Sequence, residues 1–147
     1  MAGYSGTPLP QKLGIKEGHA LTGVNAPRGF AKTLGKLPPG VTLQSGLPGR
    51  APFDTLVAFV MSRAELERQL ASLRKRMKPA AALWVAWPKK ASGVATDMTE
   101  DVVRAVALPT GLVDVKVCAI DEVWSGLKLV IRLENRPKKR LSATPAR

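Results

Sequence analysis

Arg28, Lys89 and Lys90 are the side chains whose type and placement could do chemistry in this chain of 147 residues. Arg28 lies in "VNAPRGF", between a short apolar run and a helix-like stretch, and the two lysines directly follow "LWVAWP". A guanidinium presents a planar fork that suits a carboxylate or phosphate, while lysines act as point charges. A helix start near Arg28 and Gly29 would add free N–H groups and a positive dipole end, which favour the same anion. Asn25 and Ser62 fall at neighbouring strand ends, and Trp87 at a third. Together Asn25, Arg28, Gly29, Ser62, Trp87, Lys89 and Lys90 make a candidate anion crevice. The plain alternative is that the bases are ordinary solvated loop residues.

The two tryptophans of "LWVAWP" need separate readings. Alternate strand residues share a face, so Leu83, Val85 and Trp87 look one way and Trp84 and Ala86 the other. Trp84 is expected in the core. Trp87, at the strand end, could instead floor a pocket as a stacking surface.

Other chemistries find little footing. His19 is the lone histidine and Cys118 the lone cysteine, so no metal site is expected. Cys118 lies mid-strand and reads as a small buried hydrophobe. "GFAKT" lacks the spacing of a phosphate-binding loop, and no GxSxG or paired-carboxylate pattern occurs. Asp121 and Glu122 read as turn acids, with a place at the crevice rim beside Trp124 as the alternative. No catalytic residue is assigned.

Which elements would position these groups? The run 55–60, "TLVAFV", has the character of a strand buried on both faces. Ser62 and Glu65 then form a capping box for a helix with its apolar stripe at Leu66, Leu70, Leu73 and Met77. Pro79 ends that helix, and "AALWVAW" is a second buried strand, so the three make a parallel βαβ unit. A further helix is expected with Asp97 facing Glu100. A hairpin follows, in which Val113, Val115 and Val117 alternate with Asp114, Lys116 and Cys118, Ser125-Gly126 lies near the turn, and Leu127, Leu129, Ile131 and Leu133 alternate with Lys128, Val130 and Arg132. Upstream, residues 20–25 and 41–45 read as short strands, with a helix over 26–37 between them. Residues 1–19 read as an N-terminal arm or loop, 20–135 as one domain, and 136–147 as a basic, disordered tail.

The chain is 45% hydrophobic but only 5% aromatic, so aliphatic side chains must build the core. No segment approaches the ~20 apolar residues of a membrane span, and no signal peptide is visible. With one cysteine, the chain reads as soluble and cytoplasmic. The net charge is +12, of which residues 136–147, with five bases and no acid, supply +5. That field selects anionic partners as a class. Arg68, Lys75 and Arg76 on the outer side of the long helix, with Lys138, Lys139 and Arg140 in the tail, would allow weak, salt-sensitive nucleic-acid contacts.

The order of elements implies an α/β fold, a single Rossmann-like three-layer domain whose mostly parallel sheet is closed by a C-terminal antiparallel hairpin. "FDTLVAF", the capped helix, "MKPAAALWVAWPK" and the hairpin resemble the second half of class I methyltransferases. Against that pattern one αβα segment is missing between "VTLQS" and "FDTLVAF". The resemblance implies a cofactor at the turn after the first strand. That turn lacks GxGxG, and "VTLQS" lacks the acid expected to hold a ribose. "GYSGTPLPQKLGIKEGH", "WVAWPKKASG" and "GLVDVKVCAIDEVWSGLKLV" also resemble short bacterial proteins grouped only as a domain of unknown function. The leading expectation is a non-catalytic binding module for an anionic small ligand or an acidic protein partner, with no cofactor. The alternative is a degenerate or minimal methyltransferase-like enzyme using S-adenosylmethionine or a nucleotide. A further alternative is non-specific nucleic-acid binding.

Overall fold

Two apolar runs become the central strands of a six-stranded sheet, flanked by the shorter elements. A computed structural model describes residues 7–46 and 52–135. In chain order these form α1 (Leu9–Lys12), β1 (Leu21–Val24), α2 (Phe30–Leu34), β2 (Leu43–Ser45), β3 (Phe53–Phe59), α3 (Arg63–Lys75), β4 (Met77–Pro88), α4 (Glu100–Ala107), β5 (Leu112–Ala119) and β6 (Trp124–Ile131). The sheet order is β2-β1-β3-β4-β6-β5. The first four strands are parallel, and β6 enters antiparallel between β4 and β5. The fold is therefore α/β with a mixed sheet, and β3, α3 and β4 form the expected parallel unit. Among the described residues no helix is long and apolar enough to cross a membrane.

Each face of the sheet has its own core. Leu66, Leu70 and Leu73 of α3 and Val103 and Ala107 of α4 pack on Leu83, Val85 and Trp87 of β4 and on Leu127, Leu129 and Ile131 of β6. Leu13, Ile15, Phe30 and Leu34 pack on Val57, Phe59, Trp84 and Ala86 from the other side. Each such aliphatic side chain contributes about 1.5–3 kcal/mol by leaving water. Leu13 is fully buried, and its carbonyl accepts a 3.1 Å hydrogen bond from Trp84 Nε1. Residues 7–19 thus carry part of the second core, where the sequence suggested an arm or loop.

Four local expectations are corrected. The long helix ends at Lys75, and Met77 is the first residue of β4, paired with Phe53, rather than the end of the helical stripe. Lys78 precedes Pro79, and a residue in that position is pushed out of the helical region. The α4 cap is Thr99, whose side chain accepts from Val102 N–H, whereas Asp97 accepts from Arg63 N–H at the start of α3. Ser125 and Gly126 lie inside β6, and the turn falls at residues 120–123. Finally, the register of β5 shifts between Asp114 and Val117, a bulge that leaves Val115 and Val117 exposed at 52% and 43%. Strict alternation cannot hold across an extra residue in one strand.

Candidate functional site

Chain order in the sheet reverses at β1: β2 lies on one side of it and β3 on the other. The connections leaving the carboxyl ends of β1 and β3 run to opposite sides of this point in the sheet, the usual ligand position in sheets of this kind. The turn after β1 has unusual backbone. Asn25 sits at φ 56°, the one non-glycine with positive φ among the described residues. Gly29 sits at φ 94°, with open space where a Cβ would stand. Asparagine tolerates the left-handed region better than other side chains, and glycine enters it freely.

Glu65 ties this turn to the next. Its Oε2 accepts from Asn25 Nδ2 at 3.3 Å and its Oε1 from Met61 N–H at 2.8 Å. Its own N–H donates to Ser62 Oγ at 3.2 Å, the predicted N-cap of α3. One carboxylate therefore spans the mouth between the β1 and β3 loops. The sequence placed Asn25 and Ser62 here but read Glu65 only as half of a capping box. Its position four residues after Met61 was the available signal. Beneath the same edge runs a row of edge-to-face aromatic rings, Phe30 to Phe59 at 4.9 Å and Phe59 to Trp124 at 5.0 Å.

The other crevice candidates are placed differently. Arg28 and Gly29 are exposed, and the helix they precede is only five residues long, so its N-terminal dipole is slight. Trp87 is 6% exposed and belongs to the α3–α4 core, so its ring is core surface and not a pocket floor. Trp84 is fully buried on the opposite face, as its alternation predicts. Lys89 is drawn towards the β5–β6 turn, its N–H donating to Val123 O at 2.8 Å, and Lys90 opens a short 3-10 turn, Lys90–Ser92. Arg68 and Lys75 are exposed on α3, Arg76 is its half-buried C-cap, and Lys138, Lys139 and Arg140 lie outside the described residues. Burial pushes the Cys118 thiol up, against the pull of Lys12 and Lys116, which suits a small packing residue. Among the described residues no group of three potential metal ligands lies together.

A groove of about 1120 Å³ lies apart from all seven crevice residues. Its walls are α1, the end of α2 with the loop that follows it, and the β5–β6 turn.

No family model and no curated protein matches the sequence, so the likeness to proteins of unknown function gains no support. Solved structures do match. A S-adenosylmethionine-dependent methyltransferase from Aquifex aeolicus is 17% identical, with TM-score 0.56 over 82% of this chain and 87% of that one. A protein from Sulfolobus solfataricus assigned to the type 11 methyltransferases is 12% identical, with TM-score 0.62 over 89% and 94%. Aeropyrum pernix fibrillarin, solved with natively bound S-adenosyl-L-methionine, is 14% identical, with TM-score 0.53 over 88% and 71%. These neighbours overturn the leading expectation of a non-catalytic binding module and favour its methyltransferase-like alternative. The chain is similar in fold, over most of its length, to the Rossmann-like methyltransferases.

Proposed function

We propose that this chain is a minimal methyltransferase-like protein that takes a nucleoside cofactor of the S-adenosylmethionine type at the carboxyl edge of β1 and β3. The observation that carries this reading is the left-handed turn at Asn25, standing where the strand order reverses. A left-handed turn at this place is what glycines provide in the usual motif, where backbone approaches the ligand closely. The open space over Gly29 fits the same use.

At the end of β2 the fit differs in kind. Gln44 and Ser45, both exposed, offer an amide and a hydroxyl where the methyltransferase pattern has an acid. Both can hydrogen-bond a ribose, without the charge that makes such bonds strong. S-adenosylmethionine, when bound, supplies an electrophilic methyl group. The residues of this chain would bind and orient it: Asn25 and Gly29 shape the turn, Glu65 fixes that turn against the β3 loop, and Gln44 and Ser45 face the ribose side.

Titration calorimetry of the full chain with S-adenosylmethionine and S-adenosylhomocysteine tests the proposal. Saturable binding at one site is expected, weakened by Asn25→Val. Ser45→Asp, which restores an acid, is expected to tighten binding by about ten-fold. No heat and no thermal shift at millimolar ligand would refute the reading, as would an equal response to inorganic phosphate.

A further inference from the structure

On the face of the sheet that carries α1 and α2, the second core stops at β4. Trp84 and Ala86 belong to it, while β5 and β6 add only the half-buried Cys118 and Trp124, near their turn. Beyond these, the same face of the strand pair carries the half-buried Val113 and Val130 and a set of lysines. Lys128 pairs with Trp84 and stands between Leu127 and Leu129, both of the α3–α4 core, so its own side chain is on the opposite face. Its Nζ reaches the chain just beyond Leu13, 3.6 Å from where a Cβ on Gly14 would stand. The β5 bulge falls opposite it, since Asp114 pairs with Leu129 and Val117 with Leu127, and sets the exposed Lys116 beside Lys128. Lys16, also exposed, follows shortly after Gly14. Lys12 extends the row towards the β5–β6 turn, its Nζ donating to the Ala119 carbonyl at 3.4 Å.

No acid of the two strands answers these charges. β6 has none, and Asp114, the one acid of β5, lies on the other face, where it accepts from Arg104 at 2.9 Å. The neighbouring acids are off the strands: Glu17 is exposed next to Lys16 in the chain, and Asp121 and Glu122 stand with Lys12 around the groove at the β5–β6 turn. Among the described residues no ion pair includes Lys12, Lys16, Lys116 or Lys128. Burial lowers the proton affinity of Lys128, and Lys116 and then Lys16 lower it further, so these charges act on one another. An anion spanning all of them relieves that repulsion. A bulge on the free edge of a sheet works against the addition of a peptide strand there. Nor does the face offer a free aromatic ring: β5 has none, and Trp124, the one of β6, meets Phe59 edge-on at 5.0 Å. Single-stranded nucleic acid, which binds by stacking its bases on such rings, finds no platform. The phosphates of a duplex need only spaced cations.

We propose that this face of β5 and β6 docks the phosphodiester backbone of a nucleic-acid duplex on Lys16, Lys116 and Lys128, without reading its sequence. The surface shares no residue with the turn after β1, and it is distinct from the basic side of α3, where Arg68 and Lys75 are exposed. Fluorescence anisotropy of a labelled random-sequence DNA duplex, titrated with the full chain at several salt concentrations, tests it. The slope of log affinity against log salt is expected to shrink by about two in the Lys116→Gln, Lys128→Gln double variant and by about one in Lys16→Gln. Lys116→Arg with Lys128→Arg, which keeps the charge, is expected to preserve the slope. So is Arg68→Gln with Lys75→Gln, which removes the same charge elsewhere and separates this face from the field of the whole protein. Absence of binding at low salt, equal losses from the two glutamine pairs, or tighter binding of the single strand than of the duplex would overturn the proposal. Tighter binding of polyglutamate at equal charge would overturn it too, assigning the lysines to an acidic protein.

Discussion

Asn25 carries its strain in the backbone, and its side chain is committed to Glu65. Replacement by glycine and by valine removes the same hydrogen bond but treats the backbone differently. Glycine accepts φ 56° freely, while a β-branched residue there costs about 1–2 kcal/mol more. Asn25→Val is therefore expected to be less stable than Asn25→Gly by roughly that amount, read from urea midpoints. Trp84 makes a different case. Its ring is fully buried, and its indole N–H donates to the Leu13 carbonyl. Trp84→Phe leaves that buried carbonyl without its partner, at a cost of about 1–3 kcal/mol. Far-UV circular dichroism through a denaturant titration measures it. A change near zero would show that the bond to Leu13 contributes little.

At the scale of elements, the α4–β5 corner is held by charge. Arg104 donates to Asp114 at 2.9 Å and also pairs with Glu100 and Asp101 on its own helix. The hydrogen bond from Arg104 holds the Asp114 carboxyl below its ordinary 3.8. A carboxylate lowered in the folded state stabilises the protein above its unfolded value and loses that contribution as pH falls through the folded one. The parent is thus expected to lose more stability below about pH 4 than Asp114→Asn does. Parallel urea titrations from neutral pH downward give the comparison, and superimposable curves would deny the pair any role. The same corner shows how local cues compete. Asp97 looks like a helix cap in sequence, yet Thr99 caps α4 and Asp97 serves α3 instead.

For the whole molecule, the second core depends on residues that look dispensable in sequence. Leu13 and Ile15, 0% and 5% exposed, close the face that carries Trp84 and Phe59. Deleting residues 1–15 removes both, about 3–6 kcal/mol from lost burial alone, and opens Trp84 to water. The truncated chain is expected to unfold at much lower denaturant and to show red-shifted tryptophan emission. Native-like emission and stability would instead make the segment an independent arm.

Hydrophobic period and cap chemistry made β3, α3 and β4 legible in the sequence, because a run buried on both faces and a Ser62–Glu65 box leave little choice of structure. Of the alternating set Leu127, Leu129, Ile131 and Leu133, the first three are buried as their period implies, while Leu133 lies beyond the end of β6 and is 78% exposed. The positions of Asn25 and Ser62 at adjacent strand ends also followed from the order of elements. Tertiary structure decided the rest. Insertion of β6 between β4 and β5, the bulge that sets Lys116 against Lys128, and the reach of Glu65 to Asn25 join residues far apart in the chain. No local pattern encodes such pairings, since they arise only when the sheet assembles. Arg28, Lys89 and Lys90 began as the most chemical residues of the chain. Folding instead joined Asn25 to Glu65 and brought Lys16 and Lys116 near Lys128, because strand order and register, not residue type alone, determine which charges meet.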